Sequence, residues 1–240
     1  MANSNSLPYW AIIPAAGVGK RMLTNKPKQY LTLAGKTVIE QTLAIFINHP
    51  LIEGIVVSIS EDDAYWPEIY KSLSTNCDKP ILVAPGGKER KDSVLCALHL
   101  LQKTIKQSWV LVHDAARPCL LASDIDKLIN ALGDDNPGGL LALPISDTLK
   151  QASNNSSQQV AKTLSRENMW RALTPQQFKL TDLIKALELF QDQQITDDSS
   201  AIELLGLKPL LVKGDSANIK ITHPSDLIQA EQFILNSKSL

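Results

Sequence analysis

Four scarcities narrow what this 240-residue chain can be. Cysteine is scarce: Cys77, Cys96 and Cys119 stand far apart without a C-x-x-C pair. That excludes a disulfide frame and a cysteine zinc site, and it suits reduced thiols in the cytoplasm. Long apolar runs are missing, so no bilayer span is expected, and Met1 to Pro8 lacks the apolar core of a signal peptide. Charge of one sign is missing overall. With 24 Lys and Arg against 25 Asp and Glu the net charge is −1, so neither nucleic acid nor a membrane surface is expected as a partner. Acid is missing locally: no Asp or Glu precedes Glu40, while Lys20, Arg21, Lys26 and Lys28 cluster there. A hydrophobic share of 44% with 20% charged residues is otherwise that of an ordinary soluble globular chain.

What is present is organised around that uncompensated basic cluster. Tyr9 to Ile13 is a short apolar run of the kind that forms a buried strand. Pro14 is expected to stop its ladder, and Ala15, Ala16, Gly17 and Gly19 then leave backbone amides bare of side chains. Such a loop can wrap a triphosphate, because successive amides point into one concavity and no Cβ blocks the approach. It is not a P-loop, and Met22 stands where a dinucleotide fingerprint needs its third glycine. A plain strand-to-helix turn is the competing reading of the glycine spacing alone.

A second bare loop, Gly86-Gly87-Lys88-Glu89-Arg90-Lys91-Asp92-Ser93, precedes Val94, Leu98, Leu101 and Ile105 at helical spacing. It could receive a base or phosphates at a helix start, or be a simple turn. Trp109 to Val112 reads as a strand, and Asp114 just beyond it faces the crevice where parallel sheets bind ligands. A carboxylate there can hold Mg2+, or merely cap the next turn.

The remaining pattern alternates strands and helices to about residue 145, which predicts an α/β doubly wound, mostly parallel, Rossmann-like sheet. Helices are expected over 37–46, ended by His49-Pro50, and over 61–73, 180–190 and 199–205. Another starts behind a Ser123/Asp126 capping box, and a last one opens at Pro224. Strands are expected over 54–59, 81–84, 140–145, 210–212 and 218–222. Residues 147–149 and 160–164 flank a polar tip, so 147–165 reads as a β-hairpin arm leaving a single domain spanning 1–240. An isolated hairpin is marginal in water, so this one should pack on a second copy; a disordered insertion is the other reading.

Pro14 to Met22 and Pro27-Lys28-Gln29-Tyr30 resemble the opening signature of the 2-C-methyl-D-erythritol 4-phosphate cytidylyltransferases. The G-G-K-E-R-K-D-S loop, the V-H-D-A-A-R-P block at Val112 to Pro118, Leu173-Thr174-Pro175-Gln176 and the stretch from Gly214 to Thr222 extend the likeness over nearly the whole chain. The resemblance implies that Pro14, Ala15, Ala16, Gly17 and Gly19 cradle CTP, while Gly87, Lys88 and Ser93 line its base. Lys88, replacing an acid of some members, would act through its backbone. It implies Asp114 as the Mg2+ ligand and Arg117, Thr196 and Lys220 as substrate contacts. Thr148 and Arg166 would be lent across a homodimer by the 147–165 arm. Ala217 departs where an acidic residue is common, which puts a second metal carboxylate in doubt.

The implied reaction is attack by a sugar-alcohol phosphate on the α-phosphorus of CTP. A phosphate monoester is already charged near neutrality, since its second pKa is about 6, so no general base is needed. Fixed positive charge is needed instead, and Arg21, Lys28, Arg166 and Lys220 are the expected catalytic cations. Three alternatives stay open at this point: a ribitol 5-phosphate cytidylyltransferase, a dinucleotide dehydrogenase and a non-catalytic nucleotide-binding module.

Overall fold

The apolar run from Tyr9 forms strand β1 (Tyr9–Pro14), buried on both faces. The computed structural model describes residues 7–17, 26–75, 77–133, 136–153 and 159–237. After β1 come a single 3-10 turn at Lys28–Tyr30, the short strands β2 (Thr32–Leu33) and β3 (Lys36–Thr37), and helix α1 (Val38–Asn48). Then follow β4 (Ile52–Ile59), α2 (Trp66–Thr75), β5 (Ile81–Pro85), α3 (Arg90–Thr104), β6 (Trp109–Val112), α4 (Ala122–Ala131) and β7 (Gly139–Pro144). The chain closes with β8 (Leu149–Ala152), β9 (Val160–Leu164), β10 (Trp170–Lys179), α5 (Leu180–Leu189), α6 (Asp198–Leu204), β11 (Leu210–Lys213) and α7 (Pro224–Ser237).

Seven strands form one sheet in the order β11-β7-β10-β6-β1-β4-β5. All neighbours are parallel except β10, which runs antiparallel between β6 and β7. The continuous apolar strands follow from cover on both faces. Ala11, Ile13, Val57 and Leu111 pack against Leu43 and Phe46 of α1, Trp66 of α2 and Leu128 of α4. Trp10, Ile12, Val56 and Val110 point the other way, against Leu98 and Leu101 of α3, Leu183 of α5 and Ile202 of α6. Each of the buried Leu, Ile, Val and Phe side chains stabilises the fold by roughly 1.5–3 kcal/mol. Helix α7 closes a smaller cluster, with Ala230 and Ile234 against Leu33, Val38, Ala116 and Ile221.

Several local expectations are corrected. Pro14 does not stop the ladder: it pairs with Ser58 of β4, and the Ala15 amide continues by donating to the Ser58 carbonyl at 2.8 Å. The missing N–H of Pro14 falls on the side of β6, which ends at Val112. Helix α2 starts at Trp66, because Asp63 Oδ1 accepts from the Tyr65 and Trp66 amides at 3.0 Å each. The Ser123/Asp126 capping box is absent; α4 begins at Ala122 without a side-chain cap, and Leu121 precedes it. Asp124 is instead fully buried and accepts from the Asp215 amide at 2.8 Å and Lys127 Nζ at 2.7 Å, pinning the loop after β11. Residues 218–222 form no strand; one backbone bond, from Ile221 N–H to the Ala116 carbonyl at 2.9 Å, fixes them beside β6. The hairpin exists as the antiparallel pair β8–β9, starting at Leu149 rather than 147.

Candidate active site

The site lies off the carboxyl ends of β1, β5 and β6, as the strand directions require. Its nucleotide side is built where the two bare loops meet. A Cβ on Gly86 would stand 2.2 Å from the Cβ of Ala16, so only glycine lets the loops touch. The second loop is then locked onto the first turn of α3. The Gly87 amide donates to Ser93 Oγ at 3.0 Å, and the buried Ser58 hydroxyl donates to the Ser93 carbonyl at 2.6 Å. A cavity of about 220 Å³ results, lined by Pro14, Ala15, Ala16, Gly17, Lys28, Gly87, Lys88, Ser93, Asp114 and Lys220 among others. A Cβ on Gly17 would meet nothing within 4 Å, so that amide borders open space. Gly19 and Arg21 lie outside the described residues.

The far end of the first loop is anchored by Lys28–Tyr30. Gln29 Nε2 donates to the Ala15 carbonyl at 2.7 Å, and Lys28 Nζ to the Ile221 carbonyl at 2.9 Å. Tyr30, fully buried, donates its hydroxyl to Asp63 at 2.7 Å; burial and that carboxylate both push its pKa up. Lys28 thus stands beside the 218–222 stretch that carries Lys220.

Asp114 is the electrostatic centre. Its Oδ1 receives Arg90 Nε at 2.9 Å, and its Oδ2 receives Lys220 Nζ at 2.8 Å, with Arg117 Nε at 3.4 Å. Burial alone would raise the Asp114 carboxyl, but Arg90, Lys220 and Arg117 together hold it well below the usual carboxylate range. Arg117 is pinned further by donating to the Asn218 carbonyl at 2.9 Å. A second cavity, of about 280 Å³, opens on the other side of this cluster, bordered by Arg117, Thr174, Gln176, Thr196, Asp197 and Lys220.

His113 holds this loop from beneath. Its Nε2 faces the Arg117 carbonyl at 3.0 Å, and a carbonyl only accepts, so Nε2 carries the proton. Nδ1 therefore accepts from Thr174 Oγ1 at 3.0 Å, and Thr174 Oγ1 accepts in turn from the Asp114 amide at 3.2 Å. Burial lowers the His113 pKa to about 4, so the imidazole is neutral at physiological pH.

The structure thus gathers most of the sequence-predicted residues around two adjoining cavities, with Asp114 and Lys220 lining both. Thr148 and Arg166 line neither. They sit exposed at the two ends of the β8–β9 hairpin, where Arg166 donates to the Ser146 carbonyl. Sequence reasoning missed Arg90, Asp198 and Gln176. Gln176 joins β10 to α6 by accepting from the Ser199 amide at 2.7 Å and donating to Asp197 at 2.8 Å. Arg90 was in view inside the second loop motif, and Asp198 in the paired acids after Thr196, but nothing in either motif names the other as partner.

The residues do not fit Asp114 as a direct ligand of Mg2+. Both its oxygens are taken by cations, and a dication set among three positive groups would be repelled. Among the described residues no group of three or more His, Cys, Asp or Glu side chains is placed to hold a metal ion.

Two side-chain-poor loops and a ring of cations at the carboxyl edge of such a sheet define a nucleotide-binding transferase of the nucleotidyltransferase class. The profile of the 2-C-methyl-D-erythritol 4-phosphate cytidylyltransferases matches residues 9–237. The chain belongs to that family. The enzyme of that name from Pseudomonas putida (strain GB-1) is 52% identical over 228 residues, covering 93% of this chain and 94% of its own. A crystal structure of a 4-diphosphocytidyl-2C-methyl-D-erythritol synthase superposes with a TM-score of 0.83 at 35% identity, covering 96% of this chain and 100% of that one. The Francisella tularensis 2-C-methyl-D-erythritol 4-phosphate cytidylyltransferase does so with a TM-score of 0.78 at 37% identity, covering 94% and 99%. Membership of this family does not favour the ribitol reading.

Proposed function

We propose that this chain transfers CMP from CTP to 2-C-methyl-D-erythritol 4-phosphate, giving 4-diphosphocytidyl-2-C-methyl-D-erythritol and pyrophosphate, in the non-mevalonate route to isoprenoid precursors. The observation that carries this reading is the pair of cavities meeting at Asp114 and Lys220, one walled by bare amides and the other by polar side chains. CTP lies in the first, its triphosphate against Ala15, Ala16 and Gly17, and its base near Gly87, Lys88 and Ser93. The polyol phosphate enters the second, near Arg117 and Thr196.

A phosphate oxygen of the polyol attacks the α-phosphorus in line. The bond from that phosphorus to the bridging oxygen breaks, and pyrophosphate carries away the electron pair. The attacking monoester is already an anion, so no side chain needs to take a proton. The chain supplies charge: Lys28, from the wall of the nucleotide cavity, faces the crowded anionic transition state, and Lys220 turns from Asp114 to the arriving phosphate. Lys220 suits that task, being 39% exposed where Arg117 is 10% exposed. A divalent ion bound with the triphosphate would supply further positive charge to the reacting phosphates.

The arm, 147–165, serves in this reading as the dimer contact, with Thr148 and Arg166 presented to the neighbour's site. Its support is a two-stranded sheet separate from the main one, with Val160 62% exposed and Trp170 of the adjoining β10 37% exposed. A cytoplasmic location is our reading of three free thiols and of the described helices, none of which is long and apolar enough to cross a membrane.

Pyrophosphate release tests the reaction. Each of the four nucleoside triphosphates is offered with methylerythritol phosphate and with ribitol 5-phosphate. Release only with CTP and methylerythritol phosphate is expected, and preference for ribitol phosphate would overturn the assignment.

A further inference from the structure

Arg90 opens α3 at the end of the nucleotide-side loop and lines both cavities, with its guanidinium reaching across to the second. Nε donates to Asp114 Oδ1 at 2.9 Å, and Nη2 donates to Asp198 Oδ2 at 2.8 Å. Asp198 begins α6 with 1% exposure, and Arg90 is the cation set against its carboxylate. Immediately before it, Thr196 and Asp197 border the polyol-side cavity. Asp197 caps α6 through the Ser200 amide at 3.0 Å and is gripped by Gln176. The turn that faces the attacking substrate is therefore bolted, through one charged fork, to the loop that faces the nucleotide. The three cations on Asp114 also differ in anchorage. Arg117 is held by the Asn218 carbonyl and Arg90 by Asp198, whereas Lys220 is the most exposed.

We propose that Arg90 is a positioning residue that sets the polyol-phosphate subsite from the nucleotide loop, by spanning Asp114 and Asp198. The inference rests on the transfer reaction proposed above. While Arg90 neutralises Asp114, Lys220 can leave that carboxylate for the incoming phosphate. Without the fork, Lys220 stays as a counter-ion, and Asp198 is left buried without its partner, which displaces the opening of α6. A lysine cannot substitute, because one ammonium is a point donor while a guanidinium reaches two carboxylates in fixed directions.

The test compares wild type with Arg90→Lys, Asp198→Asn and the double variant. Three measurements are made: amide hydrogen exchange without substrates, CTP affinity by calorimetry, and steady-state kinetics with both substrates. In Arg90→Lys, exchange at residues 196–200 is expected to quicken. Its kcat/KM for the polyol phosphate should fall by about 10²-fold, the cost of a small misplacement, with the Kd for CTP unchanged. The double variant should lose little beyond Arg90→Lys, since both changes break one unit. Wild-type exchange in 196–200 overturns the proposal, as does a loss of CTP affinity equal to the loss of polyol efficiency, or a fully additive double variant. Wild type that releases no pyrophosphate would sink the transfer reaction instead, and the exchange measurement would still decide Arg90. Asp198→Asn keeps an acceptor oxygen for the fork, so it gives the same exchange signature in weaker form even if Arg90→Lys folds poorly; no change at 196–200 there overturns the proposal too.

Discussion

A carboxylate surrounded by three cations can give one of them away, and in the proposed reaction that exchange of partners is the part Asp114 plays. Its low pKa leaves it ionised at every working pH, so the neighbouring positive charges are bound without a proton competing. Lys28 lines the same nucleotide cavity, beside the stretch that carries Lys220. Lys28→Ala is expected to lower kcat by about 10²–10³-fold, the worth of one fixed donor to a developing charge, with a much smaller change in CTP affinity. Near-normal turnover would remove Lys28 from the transition state. His113 sets an acid limit of a different kind. Its pKa falls from 6.5 to about 4 on folding, so between those values the unfolded chain binds more protons. Stability from this group is complete above pH 6.5 and is lost as pH falls toward 4, by on the order of 3 kcal/mol. His49, lowered mainly by burial, adds in the same direction. His113→Gln should therefore flatten the decline of Tm between pH 6.5 and 4, which thermal unfolding across buffers would read. An unchanged slope would count against the buried neutral imidazole.

Among the elements, the two bare loops work because they touch. Gly86→Ala puts a methyl where the Ala16 methyl already is, at 2.2 Å, and backbone must move on one side or the other. The expected cost is about 1–3 kcal/mol of stability, by overpacking, with weakened CTP binding from the displaced cradle. Calorimetric titration with CTP beside a thermal melt would check both, and unaltered binding would mean the loops act separately. Helix α6 is short and owes its placement to its caps: Asp197 at its start and Gly206, in the left-handed region at φ +82°, just past its end. A helix over 199–205 was legible in the sequence, as were the loops and the strand leading to Asp114. Strand β10 was not. A proline in a stretch with little apolar continuity argues against a central strand, yet Pro175 sits in one, where the register to β7 shifts between Ala172 and Gln176. That accommodation depends on the flanking strands β6 and β7, which a local pattern cannot contain.

At the scale of the whole molecule, the seven-stranded sheet brings the carboxyl ends of β1, β5 and β6 to one edge, while Thr148 and Arg166, exposed at the base of the hairpin, line neither cavity there. Both facts are reconciled if the arm serves a second copy. Mixing Lys28→Ala with Arg166→Ala subunits distinguishes the cases. With Arg166 acting across the dimer, half the random pairs hold one intact site of two, and roughly a quarter of wild-type activity returns. With Arg166 acting in its own subunit, none returns.

The chain's residues by themselves determined the alternation of elements, the two glycine-bearing loops and the concentration of cations that follows the first strand, because these depend on neighbours in sequence. The pairing of Arg90 with Asp198, 108 residues apart, was decided only by tertiary structure, as were the antiparallel insertion of β10 and the closure of Asp114 to a metal. Side-chain charges meet where the folded backbone delivers them, and no local pattern carries that distance.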